Sequence, residues 1–427
     1  MINSLEKKIT SFITFLSVLA LCYFSFYPIE LITSAIKVPK IVGFVLIAIC
    51  ISLLIFLKFI LNNFRFDFNA FLIFVGYLVF ALYALLSFLI VGDILEDSYN
   101  IRTVLIVNPF FIILSITTKD SKRLILILLY ILSGVYFLIV ITTFLQGDLS
   151  VLSYLPQYIF GGKDGMYQGI NMYLGMFALI NLILFIDMEN LYFSTFFLVC
   201  FIITLFSMLL IGGRAGFVSL IFCSFCMAYF MFNNIKGKKI CLLALTGFII
   251  SVLVIKNLSV LSNTITIVRL LDVMSFETDN SYRIFLFSSA IDLFSETWKT
   301  IIFGAGMNTF PEYIKSYSTG MYPHNIILEI LAEIGLLGFL LFMAPLLYVL
   351  LLRVQTYGSI VGKCTEEIGI FGIALFYSIS FLFTGGLRFS WPLLFYIVLL
   401  LPVVNYNEKT DYFIEKHYEK HFRCDDH

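Results

Sequence analysis

The sequence predicts an all-α fold, a polytopic bundle of about twelve membrane-spanning helices, and three features lead there. Of 427 residues 61% are hydrophobic and 13% charged, whereas a soluble globule averages about 45–50% apolar and about 25% charged. Apolar runs long enough to span recur along the whole chain, at 11–27, 41–61, 69–91, 103–118, 124–145, 168–187, 191–211, 215–232, 240–255, 326–352, 367–385 and 390–405. Polar residues are confined to short connectors, with one long exception at 256–325.

The elements follow in order. Lys7 and Lys8 precede the first run as in a signal peptide. No clear small-residue cleavage site follows, and many spans do, so this run reads as an uncleaved first helix. The fourth run is short and contains Pro109, and the seventh and eighth are parted only by Gly212-Gly213-Arg214. The chain divides into spans over 1–255 (about nine of them), an extracytoplasmic loop over 256–325, about three spans over 326–405 and a tail over 406–427.

Orientation follows from Lys and Arg in short loops. With the N-terminus inside, Lys58, Arg65, Lys119, Lys122, Arg123, Lys236, Lys238, Lys239, Arg353, Lys363 and the tail's Lys409, Lys416, Lys420 and Arg423 face the cytoplasm. That is about sixteen basic residues against about six outside, although Lys37 and Lys40 run against the trend. Both termini are then cytoplasmic and the long loop lies outside. Within it, Ile284, Phe287, Ile291, Phe294 and Trp298 recur at helical spacing between Ser, Asp and Glu. A surface helix from Tyr282 to Phe303, ended by the turn Gly304-Ala305-Gly306-Met307-Asn308, is expected to lie on the bilayer or on the bundle.

Several functional classes are disfavoured. Net charge is zero, which gives no reason to expect nucleic acid as a partner. The eight cysteines lie almost entirely in apolar runs, and the Cys223/Cys226 pair has no second ligand pair, so no disulfide framework or zinc site follows. No phosphate-cradling glycine motif marks a nucleotide site. The first outer loop holds a single acidic residue, Glu30, and no Asp-x-Asp, so metal-assisted chemistry there has no support. The tail's His417, His421 and His427 have no metal spacing and read as part of a solvated end.

The residues able to do chemistry cluster at the loop. His324, in Tyr322-Pro323-His324-Asn325, is the one histidine outside the tail and sits where the loop re-enters an apolar run. An imidazole suits a general base at neutral pH, and nearby arginines would keep it unprotonated. Its plain alternative is an interfacial histidine bonded to backbone. Arg214, in Gly212-Gly213-Arg214-Ala215-Gly216, is either a helix-end arginine snorkelling to water or a phosphate fork that small neighbours let a ligand approach. Arg283, Arg269 and, after Gly385-Gly386, Arg388 are solvated loop charges or further members of one anion site beside the membrane. Glu329 and Glu333, inside the apolar run after His324, would pair with an arginine or line a polar cavity.

These segments together resemble the O-antigen polymerase and O-antigen ligase family. The resemblance rests on Gly-Gly-Arg-Ala-Gly around Arg214, on Tyr282-Arg283 leading to Phe303-Gly304-Ala305-Gly306-Met307-Asn308-Thr309-Phe310, and on His324-Asn325 with Glu329, Glu333, Gly335 and Gly338. It covers roughly 205–345; the first 200 residues match in general character only. Gly-Gly stands where the family more often has a hydroxyl residue before the arginine. The resemblance implies a metal-independent, inverting glycosyltransferase of the C type, without cofactor, in the inner (cytoplasmic) membrane. Its substrate would be glycan on undecaprenyl diphosphate at the outer face. His324 would activate the acceptor hydroxyl and Arg214, Arg283 and Arg269 would hold the diphosphate, with Asn325, Glu329, Glu333 and Arg388 in support.

The run Ile-Ile-Leu-Glu-Ile-Leu-Ala-Glu-Ile-Gly-Leu-Leu-Gly at 326–338 leans toward a polymerase of O-antigen or capsule-type polysaccharide over the ligase that moves polymer onto lipid A–core. A chain-length regulator is then a candidate partner beside membrane lipid. A transporter or flippase of lipid-linked sugars would share the span count. It should also show repeat symmetry, broken helices at matched positions and charges at mid-bilayer, none of which the sequence displays.

Overall fold

The computed structural model describes residues 8–16, 67–91, 99–145, 166–211, 213–231, 279–314, 322–361 and 364–402, with a few single positions between them. Among these the chain is helix and loop without a strand, and five helical stretches are long and apolar enough to cross a membrane. The windows at 41–61 and 240–255, most of 11–27, the tail and Arg269 lie outside the described residues.

Ten of the described helices build the bundle. α1 spans Phe68–Val91; Asp67 accepts from the backbone of Asn69 (3.0 Å) and Ala70 (3.4 Å), capping its start. α2 (Tyr99–Arg102), a π-turn (Thr103–Val107) and α3 (Asn108–Thr118) run together. The π-turn has a local cause. Pro109 offers no donor, and the Asn108 N–H reaches back five residues to Thr103. Tyr77 then donates to the Val104 carbonyl at 3.2 Å. α4 (Lys122–Leu145) follows a 3-10 turn at Lys119–Ser121.

The two limbs α3 and α4 run in opposite senses. Asn108 and Ser115 meet Ser390 and the Phe395 carbonyl in turn, whereas Lys122, Leu126 and Tyr130 meet Glu367, Gly369 and Asn181. The apolar stretch Asn100–Thr142 is thus two passes rather than one rod.

α5 (Met166–Asp187) is buried almost all round, as the central helix of a bundle must be. Its Gly175 faces the Phe376 ring so closely that a Cβ would lie 2.2 Å away. α6 (Leu191–Ile211) and α7 (Arg214–Phe230) pack beside it. α11 (Ile326–Tyr357), α12 (Thr365–Phe381) and α13 (Trp391–Leu399) close the bundle.

The expected surface helix is two helices, α8 (Asp279–Ser295) and α9 (Trp298–Phe303). Glu296-Thr297 breaks them apart. Thr297 forms a capping box, its side chain accepting from Thr300 N (3.2 Å) while Thr300 Oγ1 accepts from Thr297 N (2.9 Å). Leu286, Ala290 and Leu293 on α8 form a small second core with Phe310, of the short α10 (Phe310–Tyr313), and Ala332 on α11.

The span expected over 326–352 differs most. α11 runs on to Tyr357 but is broken at Gly335, whose φ of 73° and ψ of −176° are not helical. The turn after α9 enters that break. Ala305 N and Gly306 N donate to the freed carbonyls of Ala332 and Glu333, both at 2.9 Å. Gly304 (φ 80°) and Gly335 cross so closely that a Cβ on either would stand 2.3 Å from the other strand's backbone. Polar backbone inside an apolar span is thereby paired by protein, as membrane depth requires.

Arg353 also departs from expectation. Read as a cytoplasmic loop charge, it is a fully buried residue near the end of α11. Its guanidinium pairs with Glu367 and donates to the carbonyls of Ile360, Val361 (2.9 Å) and Leu400 (2.8 Å). Lys122 joins Glu367 from the other side and donates to the Leu401 carbonyl at 3.1 Å. Lys119, paired with Asp67, lies at the same end.

Candidate functional site

The opposite end of the bundle holds the residues singled out for chemistry. α11 opens with Asn325, whose side chain accepts from Ile327 N (2.9 Å) and Leu328 N (3.1 Å) as an N-cap. His324 immediately before it adopts φ 57°, a left-handed conformation that costs a non-glycine residue about 1–2 kcal/mol. Such strain is held only where neighbours fix it. Here the cap fixes the residue after His324, and the Tyr322 ring packs against the imidazole at 4.2 Å between centroids, tilted by 48°. The Tyr322 hydroxyl donates to the Thr384 carbonyl at 3.2 Å, tying that ring to the turn after α12.

His324 is largely buried, and its Nδ1 has no hydrogen-bond partner among the described residues. Burial, and then the charge of Arg283, push its pKa down from 6.5 to about 4. The imidazole is therefore neutral at physiological pH and holds a lone pair able to take a proton. Arg283 lies within electrostatic reach, on the first turns of α8, whose apolar side packs against α11. No carboxylate pairs with it among the described residues.

Glu329 and Glu333 stand one turn apart on α11, 1% and 2% exposed. The expectation that they pair with an arginine or line a cavity is refined by their partners, which are backbone N–H groups. Glu329 Oε2 accepts from Leu387 N at 2.8 Å, and Glu333 Oε1 from Phe310 N at 3.3 Å. Arg388, on the 3-10 turn Leu387–Phe389, is within electrostatic reach of Glu329, its guanidinium 5.6 Å from the Phe389 ring centre. Among the described residues no group of three His, Cys, Asp or Glu side chains is placed to hold a metal ion.

Arg214 begins α7 at this same end. Along α5, Ile183 flanks Gly372, Gly175 takes Phe376, and Asn171 abuts Gly213. Asn171 is thus level with the end of α12, beyond which come Thr384 and Arg388. Two of the small residues beside Arg214, Gly213 and Gly216, pack against Asn171. Asn171 Nδ2 donates to the Gly213 carbonyl at 2.9 Å, and a Cβ on Gly213 would lie 2.0 Å from that nitrogen. A Cβ on Gly216 would also press on Asn171, at 3.2 Å.

The family model for O-antigen ligase matches residues 199–343. The match over this segment supports the O-antigen polymerase and ligase family. Members of the family are glycosyl-transfer enzymes of the membrane, and the several apolar helices make this chain a multi-pass membrane protein. No curated protein matches the chain. The matched segment carries Arg214, Arg283, His324, Asn325, Glu329 and Glu333, and ends before Arg388.

Sequence reasoning quoted Tyr322 without giving it a role and passed over Asn171. An aromatic residue next to Pro323-His324 was the available signal for the first. For the second, an Asn in an apolar run gave no sign of which helix it would meet. The break at Gly335 weakens one argument against a transporter, which had relied on the lack of broken helices. Among the described residues this is the one helix so broken, where that reading requires a matched pair.

Proposed function

We propose that this protein is a polysaccharide polymerase of the O-antigen or capsule type. It would transfer a growing glycan from undecaprenyl diphosphate to a hydroxyl of a lipid-linked repeat unit at the outer face of the inner membrane. The observation that carries this reading is His324, in a left-handed backbone conformation, partly buried, and within electrostatic reach of Arg283 in the family-matched segment.

In the step, the acceptor oxygen forms a bond to the anomeric carbon on the face opposite the leaving group. The carbon–oxygen bond to the diphosphate breaks, and the configuration inverts. The hydroxyl proton passes to the His324 imidazole. Arg283, with Arg214 and Arg388 at the same end of the bundle, faces the charge gathering on the departing diphosphate. Fixed cations in a site of low dielectric are the kind of arrangement worth several kcal/mol in a transition state. A bound diphosphate would also offset the Arg283 charge, making His324 a stronger base when substrate is present.

The ligase reading is kept because the matching family model bears that name. Both readings use the same step and differ in the acceptor.

Full-length protein in detergent, given lipid-linked repeat units, is expected to yield longer chains. His324→Ala should reduce that rate by about 10²–10⁴-fold at unchanged protein level, the range of a lost general base. Unchanged chain growth in the variant would remove His324 from the reaction. Movement of substrate across vesicles without chain growth would favour a transporter. In cells, deletion leaves single repeat units attached if the protein is a polymerase, and bare core if it is a ligase.

A further inference from the structure

The turn between α12 and α13 meets the start of α11 through three contacts. Glu329 Oε2 accepts from Leu387 N at 2.8 Å. The Tyr322 hydroxyl donates to the Thr384 carbonyl at 3.2 Å. Gly386 lies between them, so tightly that a Cβ would stand 2.7 Å from Glu329 Oε2 and 2.8 Å from the Tyr322 ring. The Tyr322 ring is the one packed on His324, and it also approaches Phe389 at 6.3 Å. The turn carrying Arg388 is therefore seated against the residues that hold the imidazole.

We infer that Glu329 is a positioning residue: through Leu387 N it fixes the 384–389 turn, so that Arg388 presents its guanidinium to the donor diphosphate beside His324. This rests on the reading under "Proposed function" and assigns Arg388 to the same anion site as Arg283. A buried carboxylate spent on one backbone N–H would be a costly way to brace a loop of no consequence. Arg388 lies within electrostatic reach of Glu329, so the turn that this carboxyl holds through Leu387 N is the one that carries the cation.

The test uses the full chain in detergent and reads binding of a polyprenyl diphosphate. Arg388→Ala is expected to weaken binding about tenfold, the loss of one charge-assisted contact. Glu329→Ala should weaken it by a similar factor, and the double variant should be no weaker than either single one, because both remove the same contact. Glu329→Gln keeps an oxygen able to accept from Leu387 N and should restore most of the affinity. Should Glu329→Ala fail to fold, Gly386→Ala provides a second route: its methyl group pushes the turn off Glu329 and should reproduce the Arg388→Ala loss.

Additive losses in the double variant overturn the inference, as does a Glu329→Gln variant as weak as Glu329→Ala. So does a Gly386→Ala variant that binds normally. A wild-type chain that does not bind the diphosphate, or one indifferent to Arg283→Ala, overturns the functional reading instead.

Discussion

The two ends of the bundle bury charge in opposite ways. At one end Lys122 and Arg353 share Glu367, and their remaining donors go to the carbonyls of Ile360, Val361, Leu400 and Leu401. Cation, carboxylate and backbone are turned on one another there. At the other end Glu329 and Glu333 are engaged by the backbone of Leu387 and Phe310, and His324 Nδ1 has no partner among the described residues. The two carboxyls are met by N–H groups, and among the described residues no carboxylate pairs with Arg283. Buried charge alone is a poor guide to a site; what matters is whether the protein has already answered it.

That contrast can be broken by substitution at the saturated end. Arg353→Ala leaves Glu367 buried with Lys122 alone and four carbonyl and carboxylate acceptors short of donors. It should cost about 3–5 kcal/mol, the range for breaking a buried pair, read as an earlier thermal transition in detergent. The glycan-transfer rate of the protein that remains folded should be unchanged. A loss of rate with normal stability would mean that the two ends are functionally joined.

A smaller effect is expected where fold and site meet. Gly335→Ala puts a methyl group 2.3 Å from Gly304 N at a φ that glycine alone adopts freely. We expect a loss of about 1–3 kcal/mol from strain and overpacking, together with a lower transfer rate, because the turn that reaches Glu333 must shift. A stable, fully active Gly335→Ala protein would show that the crossing is not fixed.

The finest test is of pH. His324 is held near 4 by burial first and Arg283 second. In the free enzyme it accepts a proton only when neutral, so kcat/KM should stay level down to weakly acidic pH and fall as pH approaches about 4. Arg283→Ala removes the smaller of two lowering influences. The acid limb should then move up toward the ordinary imidazole value of 6.5 without reaching it. A limb that stays put would separate Arg283 from His324.

How much of this was legible beforehand depended on range. Runs such as 124–145 and 191–211 announced their helices to within two residues, because apolar length is a local property. His324 and Arg283 could be singled out for the same reason, as rare residue types at a boundary. What depended on distant partners could not be read. Thr297 looked like one more polar residue on a surface helix until its capping box with Thr300 appeared. Arg353 looked like an orientation signal, since nothing near it in sequence names Glu367. Gly213 and Gly335 were noticed as motif residues, yet the reason for each is a backbone or side chain far along the chain, Asn171 for one and Gly304 for the other.

The interlock of the 304–306 turn with α11 carries a consequence for biogenesis. Until that turn is seated, the carbonyls of Ala332 and Glu333 would face lipid without donors. α11 can settle into its broken shape only after the preceding loop is in position. The helix that follows His324 thus takes its final form only together with the turn that precedes it in the chain.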